Sequence, residues 1–143
     1  MKILLTLWQL PQLIVAWVMM PFLGKRELVA YNDNTKAFKC EKMHGSISLG
    51  KYIFLSPYGA GKDAIISHEF GHTKDSLTWG WLYLLVIGIP SALWALVCND
   101  PCKYYDFYTE RLANNRQGIG VNEYCALVQV GEPEVKFNLK KNL

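Results

Sequence analysis

With 143 residues, the chain has room for one domain with a modest core. Its formal net charge of +3 suits contact with anionic lipid and makes no case for nucleic acid, because the basic residues form no aromatic-interleaved stripe. Half of the residues are hydrophobic, and they gather in two apolar blocks separated by a polar, basic stretch.

The first block, Ile3 to Leu23, is uncharged and apolar apart from Thr6, Gln9 and Gln12. About 21 residues suffice to cross a bilayer core of about 30 Å, so residues 1–23 are expected to form a membrane helix. A signal peptide is the rival reading. Against it stand the single basic residue Lys2 before the block, Pro11 within it and the lack of a small-x-small cleavage site after it. A buried soluble helix is the other alternative. Trp8 and Trp17 suit membrane interfaces, and Trp17 equally suits packing.

Residues 24–63 read as a small antiparallel sheet. Leu28-Val29-Ala30-Tyr31 and Ala37-Phe38-Lys39-Cys40 flank the turn signal Asn32-Asp33-Asn34. Ser46-Ile47-Ser48-Leu49 and Tyr52-Ile53-Phe54-Leu55 flank Gly50-Lys51, a second hairpin signal. An edge strand within residues 46–55 could hold an extended peptide by strand addition, by analogy with metal peptidases, or be purely structural. Ser56 to Lys62 is a loop without the spacing of a phosphate-binding loop. Seven Lys/Arg fall within 24–63, against Lys2 alone before the first block. The positive-inside rule therefore places this region on the cytoplasmic side, with the N-terminus outside.

The segment His68-Glu69-Phe70-Gly71-His72 carries the chemistry. Residues four apart share a helical face, so His68 and His72 can present two imidazoles to one metal ion, while Glu69 is placed to act as a base on water. A solvated polar face is the bland alternative. Ala64, Ile65, Ile66 and Phe70 argue for a largely buried helix instead, whose polar groups must be paired or bind something. Gly71 costs a helix about 1 kcal/mol against Ala, which suggests close approach by another element.

The second block, Thr78 to Cys98, is long enough to span a membrane. Catalytic zinc needs a third protein ligand, and the best candidate lies beyond the block, Glu110. Asn114, four residues on, could accept a hydrogen bond from a ligating imidazole, and small Ala113 would let two helices meet. A straight span would put His72 and Glu110 on opposite sides. Gly88-Ile89-Pro90 is therefore expected to break the block into a re-entrant hairpin over 78–98, the alternative being a plain transmembrane helix without shared zinc. Tyr104, Tyr105, Tyr108 and Arg111 are all near enough in sequence to donate to an oxyanion.

Of the four cysteines, Cys98 and Cys102 are the close pair. On a cytoplasmic face all should be thiols, and the opposite orientation would permit a bond between those two. His44 reads as a loop residue, residues 121–143 as a tail, and its part from Gly131 to Leu143 as loosely packed.

The layout His68-Glu69-x-x-His72 followed by Glu110-x-x-Ala113-Asn114 resembles the gluzincin pattern of thermolysin-like zinc peptidases. There the downstream Glu is the third ligand, and an acidic residue four positions later supports a histidine; Asn114 departs from that acid. The stretches Leu7-Trp8-Gln9-Leu10-Pro11-Gln12, Ile47 to Ile53, Gly80-Trp81-Leu82-Tyr83 and Phe107-Tyr108-Thr109-Glu110 are similar to a group of small, uncharacterised membrane-associated metallopeptidase-like proteins of bacteria. That similarity covers most of residues 5–120, and Asp75 departs from an expected amide.

The sequence thus leads to an α+β, mainly α, membrane-associated domain of the bacterial inner membrane. It would hold one Zn2+ on His68, His72 and Glu110 and hydrolyse a peptide or protein substrate. Zinc would lower the pKa of a water towards about 7, Glu69 would take its proton, and Glu69 would then pass it to the leaving amine. The rival from another class is a non-catalytic membrane protein with a structural zinc, or an inactive relative that binds a partner. A structural site would be closed by a fourth protein ligand.

Overall fold

The computed structural model describes residues 2–32, 34–118 and 140–141. The first apolar block does not form one helix. It gives α1 (Lys2–Trp8) and α2 (Leu10–Met19), followed by a short tight turn Met20–Phe22. The two halves are bent by 79°. The expected continuous membrane helix over 1–23 is thereby corrected, and the cause is local. Pro11 has no N–H for the carbonyl of Leu7, four residues back, and the indole N–H of Trp81 donates to that carbonyl instead, at 2.7 Å. Gln9 and Gln12 are buried at the break, and both donate through Nε2 to Ser76 Oγ, at 3.0 and 2.9 Å. Trp8 returns the contact, its indole N–H reaching Leu77 O at 2.9 Å.

The basic stretch forms β1 (Arg26–Tyr31), β2 (Lys36–Cys40), β3 (Ile47–Leu49) and β4 (Tyr52–Leu55). Both expected hairpins are present. Asn32 Oδ1 accepts from the backbone N–H of Asn34 and Thr35 in the first turn. Gly50 takes φ +63° in the second, where only glycine is at ease. The sheet is not purely antiparallel, however. β2 and β4 pair in parallel, and with the short β5 (Lys140–Lys141) the order is β3-β4-β2-β1-β5. Turn chemistry fixes each hairpin but not how two hairpins join, and here the chain crosses over β4 before β3 begins. The added edge, β5 (Lys140–Lys141), pairs with β1, which corrects the expectation of a loose tail at those two residues; the rest of 121–143 lies outside the described residues.

The sheet is covered on both faces, so β4 reads as an unbroken apolar run. Ala37, Ile53 and Leu55 pack with Ile66 and Phe70 of α3 (Asp63–Trp79). Phe54 and Cys40 pack with Ala16 of α2 on the other face. α3 stops at Gly80, at φ +51°, where a Cβ would lie 2.1 Å from the Trp8 ring.

The second block bends at its start and not in its middle, which corrects the expected hairpin with both arms within 78–98. Asp63–Leu82 and Leu84–Val97 are bent by 118°, so the turn falls at Gly80–Tyr83 and not at Gly88-Ile89-Pro90. Around Pro90 the chain instead forms a wide turn over Leu84–Gly88 and continues as α4 (Ile89–Val97), with the proline in its first turn, where a missing N–H is tolerated. The Val86 carbonyl that Pro90 cannot serve accepts from Tyr108 Oη at 2.6 Å. After α5 (Pro101–Asp106), capped by the Asp100 carboxylate on the N–H of Cys102 and Lys103, α6 (Tyr108–Arg116) runs back across α3. Cys102 is disulfide-bonded, whereas Cys40 and Cys98 are free. This corrects the expectation of four thiols and excludes the Cys98–Cys102 bond.

Candidate metal centre

The helix spacing and one close crossing build the centre. α3 puts His68 and His72 one turn apart on its buried face. α6 meets α3 at Gly71, where an added Cβ would lie 2.1 Å from the backbone oxygen of Ala113. No residue larger than glycine fits there, which accounts for the glycine inside a long helix. One turn before Ala113, Glu110 reaches both imidazoles. Its Oε2 lies 3.0 Å from His68 Nε2 and 3.3 Å from His72 Nε2. The ligand atoms of the three residues all fall within 4.8 Å of one another, and all three side chains are buried. Among the described residues this is the one group of His, Cys, Asp or Glu able to hold a metal ion; it has three members and no fourth.

The surrounding contacts set protonation. Asn114 Oδ1 lies 2.7 Å from His68 Nδ1. An imidazole N–H donated to that oxygen leaves Nε2 with its lone pair towards Glu110. Two acceptor atoms 3.0 Å apart in a buried site repel unless a proton or a cation lies between them. The donor set therefore fits a cation, and it fits a borderline ion taken by nitrogen and oxygen ligands. Nδ1 of His72 has no hydrogen-bond partner, and neither has Asp75 Oδ2, 3.9 Å away. A small movement would join them, giving His72 a carboxylate support, while Asp75 Oδ1 accepts from Arg116 Nε at 3.0 Å.

In the metal-free protein, burial opposes the charge on Glu110. The hydrogen bonds and charges of His68 and His72 outweigh it and hold the carboxyl far below its usual range. Burial likewise opposes protonation of His72, yet the Glu110 hydrogen bond and the charges of Glu110, Glu69 and Asp75 raise its pKa. For Asp75 burial prevails over Arg116 and raises the pKa.

Glu110 Oε1 is held as well, by Thr109 Oγ1 at 2.9 Å and by a short contact from Ser91 Oγ of α4. Glu69 is buried, and Ser48 Oγ of β3 lies 2.6 Å from its Oε2 and 2.8 Å from its backbone oxygen. Of the four candidate oxyanion donors, three are engaged: Tyr108 with Val86, Arg111 with exposed Asp106 at 3.8 Å, and Tyr104 with Ser91 beside Glu110. Tyr105 sets its ring edge-on to His68, with centroids 5.4 Å apart. Tyr104, whose pKa is raised by burial and then by the Glu110 charge, stays a proton donor and bonds to Ser91.

Ser48, Ser91 and Asp75 were not singled out as site residues from the sequence. Ser48 and Ser91 come from an edge strand and an apolar helix with no spacing relation to the motif. Asp75 had a signal, its place three residues after His72. No protein-family model, no curated protein and no solved structure matches this chain.

Proposed function

We propose that this chain is a membrane-associated zinc metallopeptidase. The observation that carries the reading is the convergence of His68, His72 and Glu110 from two helices, with three protein ligands and no fourth among the described residues. A catalytic ion keeps an open position, whereas structural zinc is normally closed by four ligands. His68, His72 and Glu110 would hold the ion, which when bound supplies Lewis-acid polarisation of a carbonyl and acidifies water. Glu69 accepts the water's proton and delivers it to the leaving amine, and the Ser48 hydroxyl orients its carboxylate. Asn114 fixes the His68 tautomer. Tyr105, edge-on to His68, is the candidate donor to the developing oxyanion, and Tyr104 could serve only by leaving Ser91. β3 ends the sheet beside α3, so an extended peptide or protein substrate can add to it as a further strand.

Membrane association rests on the outer surface. No single described helix is long and apolar enough to cross a bilayer. Leu84–Val97 is about 21 Å long, short of the roughly 30 Å core. Yet α4 has no buried residue, and Leu93, Leu96 and Val97 are 59%, 81% and 68% exposed. Ile3, Leu4, Val18 and Phe22 are similarly bare on the first pair. Apolar surface of this extent calls for lipid or a partner. The bent pairs then dip into one leaflet of the bacterial inner membrane, with the basic sheet and the metal centre on one face; the charge of the sheet favours the cytoplasmic face, whereas the Cys102 disulfide favours the opposite one.

Full-length protein in lipid vesicles, loaded with zinc, should cleave a quenched-fluorescent peptide library. Glu69→Gln should keep the metal and lose cleavage. A wild-type protein that cleaves nothing, or a Gln variant that cleaves at the wild-type rate, would remove the proposal.

A further inference from the structure

A cavity lies where the start of α1 faces the sheet, lined by residues other than His68, His72 and Glu110. Its volume is about 230 Å³, and Lys2, Lys36 and Lys51 line it together with Thr6, Asn34 and Thr35, among others. The three lysines come from three separate segments, α1, β2 and the β3–β4 turn. None of them is in a salt bridge among the described residues, and no described carboxylate lines the cavity. Three lysines lining one hollow make it a basic site that an anion would complement, and the Lys51 ammonium lies 5.6 Å from the centroid of the Tyr52 ring, which also lines it. Hydroxyl and amide groups beside them complete a lining suited to an oxyanion with several acceptor oxygens.

We infer that this cavity binds a phosphate-bearing anion, with Lys2, Lys36 and Lys51 as its charge partners. The same helix shows what carries the phosphate. Leu4, Leu7 and Trp8, on the other side of α1, form with Trp81 an almost wholly apolar groove. One seven-residue helix thus separates a cationic pocket from an apolar one. A glycerophospholipid with an anionic headgroup satisfies both, with the headgroup among the lysines and an acyl chain along the groove. This carrier rests on the membrane reading; the phosphate site itself does not.

The test is amine footprinting of the full-length protein, read lysine by lysine. Samples are phosphatidylcholine vesicles, the same vesicles containing phosphatidylglycerol, and detergent with inorganic phosphate. Flotation of wild-type protein and the Lys36→Gln/Lys51→Gln variant is measured alongside. Phosphatidylglycerol should lower the labelling of Lys2, Lys36 and Lys51 about fivefold or more, the equivalent of about 1 kcal/mol per lysine, and leave Lys25 and Lys42 unchanged. The variant should still float with phosphatidylcholine and lose the added affinity for phosphatidylglycerol. Equal protection by inorganic phosphate supports the site with the free anion as its source. Uniform protection of all lysines, or none with either phosphate source, overturns it. Failure to float with any vesicle would strike the membrane reading instead, and the inorganic-phosphate sample then decides the site alone.

Discussion

Gly71→Ala separates the crossing of α3 and α6 from ordinary helix propensity, because the two predict opposite signs. Propensity alone favours Ala over Gly in a helix by about 1 kcal/mol. In this structure the new methyl would sit 2.1 Å from Ala113 O, 2.7 Å from its carbonyl carbon and 2.9 Å from its Cα. All three are backbone atoms, so no side chain can rotate away. Restoring an ordinary contact of 3.4 Å requires the helices to part by roughly 1.3 Å, and overpacking of this kind costs about 1–3 kcal/mol. The net expectation is destabilisation of up to about 2 kcal/mol. Glu110 moves with α6, whereas ligand distances tolerate only about 0.2 Å, so zinc affinity should fall by at least tenfold. Denaturant unfolding of the metal-free protein and chelator competition measure the two effects. A Gly71→Ala protein that is about 1 kcal/mol more stable and binds zinc as before would refute the crossing.

Further outcomes follow from single contacts. Asn114→Ala removes the acceptor for His68 Nδ1 and should weaken zinc binding 10–100-fold, while Asn114→Asp should retain it; equal affinity in all three proteins would deny the support role. Tyr108→Phe removes the donor to the Val86 carbonyl and should cost about 0.5–1.5 kcal/mol of stability with little change in kcat, whereas a hundredfold loss of kcat at unchanged stability would make Tyr108 an oxyanion donor. Without metal, the raised His72 pKa contributes stability that is complete below the ordinary value of 6.5 and is lost as pH rises through the folded value. Glu110, held low, contributes stability that is complete above 4.5 and is lost only as pH falls towards its depressed value. The metal-free Tm should therefore be highest between these two ordinary values and decline above them, while acid through the same window releases metal; a metal-free Tm that rises from pH 6.5 to 9 would contradict the assignment.

The cluster of His68, His72 and Glu110 was legible because its geometry is mostly local. His68 and His72 share a helical face by spacing alone, and Asn114 stands to Glu110 as His72 stands to His68. Gly71 and Ala113 signalled a close approach because small residues on helices carry a cost or leave a gap that something must fill. The hairpins were legible from Asn32 and Gly50 for the same local reason. The apolar blocks were harder, because hydropathy sums composition and does not see direction. Gln9 and Gln12 read as interruptions of a membrane helix, yet they point inward to Ser76 and the leucines around them face out. Both prolines marked real disruptions. At the first, Trp81 from a distant element supplies the missing donor and the chain bends; at the second, Tyr108 supplies it and the helix continues past Pro90, the bend falling earlier, at Gly80–Tyr83. The parallel β2–β4 pairing and the serines that hold Glu69 and Glu110 are contacts of the same long-range kind, invisible to spacing.

Metal content of the purified full-length protein tests the central claim most directly. The account predicts about one zinc per chain in the wild type, and loss of zinc in His68→Ala, His72→Ala and Glu110→Ala proteins that keep their helical circular dichroism. Wild-type protein without zinc after reconstitution, or unchanged zinc in all three variants, would contradict it.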